Sequence, residues 1–159
     1  MIAAAVLALV FAAPAAAQEA GSSSDALRAC VAEAERDPEA ERACVGVQAL
    51  ACVDAGADAA TCHAAETAGW EAALEASRSE VAALMRLDAG VDGPVPGEGL
   101  LDGAEAAWAA FRDADCALAA ARWDEDAEMR ARAGAQCRME RTAARVLELT
   151  ALRRAYESP

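Results

Sequence analysis

Apolar residues recur along this chain at spacings of three, four and seven, and no segment alternates apolar with polar positions in the manner of a strand. Strong helix formers dominate, while β-branched residues and Tyr are rare. The pattern predicts an all-α protein of five helices. Ser24 and Asp25 cap a first helix to about Arg36, stopped by Asp37-Pro38. A second runs from Glu39 to about Asp54 and ends at Gly56. A third starts at Thr61 and carries Trp70, Leu74, Val81, Leu84 and Leu87 down one side. It must stop within "DAGVDGPVPGEG", residues 88–99, whose glycines and prolines do not continue a helix. A fourth begins at Leu101 or Asp102 and runs to about Arg122, with Leu101, Trp108, Phe111 and Leu118 on its apolar side. The fifth spans about Asp126 to Tyr156, patterned by Met129, Cys137, Ala144, Leu147 and Leu152. There is no internal repeat.

Ahead of the first helix, "MIAAAVLALVFAAPAAAQ" is apolar to Ala13 and ends in an A-x-A site at Ala15 and Ala17. It predicts a signal peptide over residues 1–17, too short to span a membrane, followed by one domain over 18–159. The destination is then the periplasm or the medium. Six cysteines follow the leader, and an even count in an exported chain points to disulfides. No C-x-x-C is present, so zinc-type spacing is missing, although buried thiols or a metal site are the competing reading.

Antiparallel helices bring together positions equally far from their turn. Cys30 and Cys44 are centred on residue 37, Cys52 and Cys62 on 57, and Cys116 and Cys137 between 126 and 127. Each midpoint falls at a predicted turn, which favours the pairs 30–44, 52–62 and 116–137. A Cys44–Cys52 bridge would need about 12 Å to be closed along one continuous helix, against a limit of about 7 Å between disulfide Cα atoms. A Cys30–Cys62 or Cys44–Cys137 link would contradict the hairpin arrangement.

The net charge is −13, with 27 acidic residues against 14 basic ones, every basic one an Arg. Phosphate backbones need cations, so nucleic acid is excluded as a partner, while basic proteins are attracted and anionic membranes repelled. Stable membrane insertion after cleavage is not expected. With so many acids, paired carboxylates arise by chance, and nothing beside Arg112 and Asp115 supplies a nucleophile or tuned base. His63, with Glu66 at i+3, lacks further ligands and reads as a surface or half-buried residue. No enzyme activity, metal or cofactor is expected.

The stretch "WAAFRDADC", Trp108 to Cys116, concentrates aromatic, charged and sulfur side chains in an Ala-rich chain. Trp108, Phe111, Asp115 and Cys116 read as one helix face, with the aromatics filling the gap to the facing helix. The pattern W-x-x-[FY]-R-D-x-x-C is followed by C-x4-T-x2-R-x3-L, here Trp108, Phe111, Arg112, Asp113 and Cys116, then Cys137, Thr142, Arg145 and Leu149. Upstream, Cys62, Trp70 and Leu74 form C-x7-W-x3-L. From Cys62 to Leu152 the chain resembles the LprI-like family of bacterial lysozyme inhibitors. Glu105 stands where that family commonly has Gln, and the segment Cys30 to Cys52 resembles a variant among its exported relatives. The resemblance implies a small helical cysteine-bearing domain and a protein partner such as a lysozyme. The other reading is a structural or interaction module of the cell envelope.

Loop placement and charge, rather than the family motif, nominate contact residues: Asp92 and Glu98 in the long loop, and Trp123 and Asp124 at the "WDED" hairpin tip.

Overall fold

The computed structural model describes residues 25–34 and 36–158, so the leader expected over 1–17 and the cap expected at Ser24 lie outside it. Regular structure among the described residues is wholly helical: α1 over 25–33, α2 Pro38–Ala43, α3 Val47–Asp54, α4 Ala59–Ala89, α5 Pro96–Ala121 and α6 Ala127–Glu157. All five predicted helices are present, the second divided into α2 and α3. Helices α4, α5 and α6 run up, down and up. The most extensive packing lies between α4 and α6, with α5 along one groove of that pair and α1–α3 along the other.

The core is thin, its main part lying between the N-terminal helices and the α4–α6 pair and its smaller part between α4, α5 and α6. Leu27, Val31, Cys44, Ala49, Cys62, Trp70, Ala73, Met139, Ala143 and Val146 form its main part, and Val81, Leu101 and Leu149 a smaller one. Leu74 touches both. Trp70 is the largest wholly buried side chain. Burial of such a side chain stabilises by about 3 kcal/mol, and an Ala methyl by well under half of that. The three disulfides compensate: Cys30–Cys44, Cys52–Cys62 and Cys116–Cys137, with Cα separations of 6.0, 5.6 and 5.4 Å. These are the pairs that the turn positions favour. Each short closed loop contributes about 3 kcal/mol in the chain-entropy view.

The second helix is not continuous to Asp54 as expected. Its backbone turns at Gly46, where φ is +88°, a conformation costly for any residue with a Cβ. The cause lies on α4. Glu66, 1% exposed, points its carboxylate at the start of α3. Oε1 accepts from the Gly46 N–H at 2.7 Å and Oε2 from the Ala49 N–H at 2.7 Å. Oε1 also accepts from the Trp70 indole Nε1–H at 2.9 Å. A capping role ordinarily filled by a local Ser, Thr or Asp is thus filled from another helix. The break also removes the continuous helix from the argument against a Cys44–Cys52 bridge, while leaving the observed pairing unchanged.

Other boundaries differ: α1 ends at residue 33 rather than near Arg36, and α4 starts at Ala59 rather than Thr61. Helix α5 starts at Pro96 rather than near Leu101, because proline's fixed φ suits the first helical position. Glu98 secures that start by accepting from the Val95 N–H at 2.9 Å and pairing with Arg86 at 2.5 Å. The long loop therefore shrinks to residues 90–95, with Gly90 at φ +65° closing α4. At the other end of α4, Asp58 accepts from the Thr61 N–H and hydroxyl, both at 2.8 Å. These bonds, the backbone one foremost, hold its carboxyl below the ordinary 3.8. A lowered carboxyl stabilises the fold above its unfolded value and loses that contribution as pH falls through the folded one.

Two outcomes are expected. Glu66→Gln, which sets an amide N–H2 against backbone donors, should lower unfolding free energy by about 2–3 kcal/mol in urea titrations of the oxidised protein. Asp58→Asn should lose less stability than the wild type on acidification below about pH 4, as followed by circular dichroism.

Candidate partner interface

The α5–α6 hairpin is built as a ladder. Nearest its turn, Cys116 joins Cys137. Next, Asp115 accepts from Arg141 Nε at 2.8 Å. Beyond that, Arg112 reaches the Thr142 hydroxyl at 3.3 Å and Glu71 of α4 at 3.2 Å. Thr142, wholly buried, passes its own proton to the Arg138 carbonyl at 2.7 Å. Furthest along, Glu105 takes both Nε and Nη2 of Arg145, at 3.0 and 2.5 Å, while Nη1 reaches Glu148 at 2.7 Å. Burial pulls the Arg145 guanidinium down, but the two carboxylates outweigh it, and the net shift is upward.

At 100° per residue, Arg112 falls between Trp108 and Cys116 on the inner face of α5, whereas Phe111 falls a further 100° round, outside it. The expectation that the aromatics fill the gap is corrected accordingly. Phe111 is 56% exposed and Leu118 73%, while the Arg112 side chain is 15% exposed. Trp108 is half-buried beneath the Arg112 guanidinium, 5.1 Å from its ring centroid. Asp113 accepts from Arg112 Nε at 3.1 Å on the exposed rim. Leu87 and Leu152, expected on apolar faces, are also exposed. The motif residues Arg112, Thr142 and Arg145 meet at this seam, and Trp70, Leu74 and Leu149 lie in the core. Sequence reading missed the Glu105–Arg145 pair, although both residues lie nearly equally far from the hairpin turn.

The four nominated contact residues do not form one patch. Asp92 and Glu98 lie at the start of α5, and Trp123 and Asp124 follow its end, about 39 Å away for a helix of this length. Glu98 is largely committed to Arg86 and Val95. Asp92 is exposed.

The α5–α6 turn is the better-defined feature. Trp123 is half-buried under Arg122, 5.2 Å from the ring centroid. Arg130 donates to the Asp124 carbonyl at 3.0 Å, and Asp126 caps α6 by accepting from the Met129 N–H at 2.9 Å. A shallow depression of about 320 Å³ lies among Ala121, Arg122, Trp123 and the three acids Asp124, Glu125 and Asp126. The tip thus presents an aromatic ring and clustered negative charge on a backbone fixed by a cap and a nearby disulfide.

His63 is buried, 8% exposed, where a surface or half-buried residue was expected, and its Nδ1 has no hydrogen-bond partner among the described residues. Asp115, Cys116 and Cys137 bring possible ligand atoms within 4.8 Å of one another, but both sulfurs are consumed by their disulfide and neither is a thiolate donor. Among the described residues, no helix is long and apolar enough to cross a membrane. The disulfides are consistent with a protein that resides outside the cytoplasm.

Arg145→Ala should destabilise the oxidised protein by about 2 kcal/mol, between the values for exposed and fully buried ion pairs. A double-mutant cycle with Glu105→Ala, read by urea denaturation, should return a coupling of about 1 kcal/mol or more.

A family model described as Lysozyme inhibitor LprI matches residues 52–149. The match begins at Cys52, so it takes in the Cys52–Cys62 and Cys116–Cys137 bridges, the Trp70 core and the whole ladder, and leaves α1, α2 and the start of α3 ahead of it. No curated protein and no solved structure matches. With the matched span covering more than half of the sequence, including α4, α5 and most of α6, the chain belongs to the LprI lysozyme inhibitor family.

Proposed function

We propose that this protein is exported to the periplasm or the medium and there inhibits a basic lysozyme by binding it, with no chemistry of its own. The family match over residues 52–149 carries the reading. The charge balance supports it: at −13 the chain attracts a cationic partner and speeds encounter. Affinity then has to come from a desolvated contact.

The α5–α6 tip is the surface proposed for that contact. Trp123 supplies apolar area at low conformational cost, and Asp124, with Glu125 and Asp126, supplies complementary charge. The Cys116–Cys137 bridge and the Asp126 cap fix the turn before binding, which reduces the ordering cost of association. Asp92 and Glu98 make a second acidic point at the far end of α5. Their distance from Trp123 means that one compact partner contact on a single copy engages one end or the other.

The test is cell-wall lysis by a panel of lysozymes, titrated with the oxidised protein at about 0.15 M salt, where the Debye length is about 8 Å and loose attraction is screened. Stoichiometric inhibition is expected, weakened about 30-fold by Trp123→Ala and reduced mainly in association rate by Asp124→Asn. If Asp92→Asn has the larger effect, the contact lies at the other end of α5. A folded, fully bridged sample that inhibits no lysozyme type sinks the reading.

A further inference from the structure

We propose that the outward face of α5 is a self-association surface, on which two copies of this chain pack antiparallel about a two-fold axis at the level of residue 109. Leu100, Ala104, Ala107, Phe111, Ala114 and Leu118 follow one another at spacings of four, three, four, three and four. This is the spacing of a helix–helix seam. All six are exposed, Leu100 at 77%, Phe111 at 56% and Leu118 at 73%. α5 meets α4 and α6 chiefly with its opposite side, and α6 reaches the stripe at one edge, where the Arg141 guanidinium lies 5.7 Å from the Phe111 ring centroid and Leu118 borders a shallow groove.

The seam carries no charge in a protein of net charge −13. Of the charged residues on α5, Glu98, Asp102, Glu105, Arg112 and Asp113 lie on the other half of the helix at 100° per residue. Asp115 borders the stripe, paired with Arg141 of α6, and that ion pair sets one cation beside Phe111 but adds no net charge to the seam. A basic partner finds its match on the acidic faces and tips, not here. A second copy of a strongly acidic chain needs the reverse, a face where no like charges are set directly opposite one another.

The order of side chains selects the second copy more sharply. Read in either direction, the spacing is the same, so an antiparallel mate lands residue on residue. Leu100 meets the mate's Leu118, and Ala104 meets its Ala114. Phe111 meets its Ala107, a large ring against a methyl, twice by symmetry. An isologous interface requires this reciprocity, in which i contacts j and j contacts i. The alanines let the two axes approach to about 8 Å, the lower end of helix packing distances.

In plan the face measures about 27 by 10 Å, roughly 270 Å², about a third of what one partner contributes to a standard stable interface. The dimer is therefore reversible rather than obligate. Its geometry sets the Trp123–Asp126 turn of one copy beside the Asp92–Glu98 segment of the other, two acidic regions whose repulsion salt screens. Self-association should therefore strengthen as salt is raised, the opposite of a contact held by charge attraction.

Sedimentation equilibrium of the purified, oxidised protein is the experiment. A monomer–dimer equilibrium that tightens with salt is expected, weakened about ten-fold or more by Ala107→Glu and by Phe111→Glu. Both sites are exposed, so the circular dichroism and disulfide map should not change. For the register, copies carrying Leu100→Cys and copies carrying Leu118→Cys should cross-link to each other on mixing and far more slowly among themselves. A protein that stays monomeric to about 1 mM, a dimer indifferent to both Glu substitutions, or preferential 100–100 cross-linking overturns the proposal. None of these readouts involves lysozyme, so failure here leaves the inhibitor reading standing and the converse holds too.

Discussion

Glu66 accepts three hydrogen bonds inside the protein, from the Gly46 and Ala49 backbones and the Trp70 indole. Moving a carboxylate out of water costs several kcal/mol unless such donors replace the lost hydration. Here all three come from groups that themselves need a partner: two orphan N–H groups at a helix start and a buried ring nitrogen. One side chain therefore decides where α3 begins, how Trp70 is seated and which way the chain leaves Gly46. With α3 so directed, Cys52 comes within bridging distance of Cys62 at the head of α4. Through its bonds to Gly46 and Ala49, Glu66 joins the segment ahead of the family match to the part within it.

Around that point the protein manages with little apolar volume. Among the described residues, the large aliphatic and aromatic side chains that are wholly buried are Trp70, Leu149, Val81 and Val146. Arginines do much of the remaining positioning. Arg154 pairs with Glu41 and Arg28 with Glu80, tying the N-terminal helices to α6 and α4. Arg153 adds a longer contact to the same Glu80 at 3.6 Å. Single pairs of this kind contribute little each where solvent reaches them. Their value lies in register, because a displaced helix leaves several half-buried guanidinium groups without partners at once.

Long helices, their turns and the cysteine pairing were legible in the sequence, because helical spacing and distance from a turn are local quantities. Three features were not. The break at Gly46 depends on Glu66, twenty residues away, and an isolated Gly in a helical run is ordinarily tolerated. Pro96 reads as a breaker until its place at the first position of α5 is known. The inner face of α5 was assigned from Phe111 and Leu118, because in a helix of alanines the few large apolar residues dominate any pattern. The structure buries Arg112 and Glu105 there, beside the expected Cys116. For the candidate interface, the nominated residues were legible one by one, but their division between the two ends of a 26-residue helix was not.

The cysteines pair strictly in order of appearance, first with second, third with fourth, fifth with sixth, across 14, 10 and 21 residues. A chain delivered N-terminus first into an oxidising space always finds, next to emerge, the native partner of the cysteine already waiting. Pairing by order of arrival is then already correct pairing. Such a connectivity asks for an oxidant but for no reshuffling of bridges, and each one locks a hairpin before the next stretch of chain is present to compete.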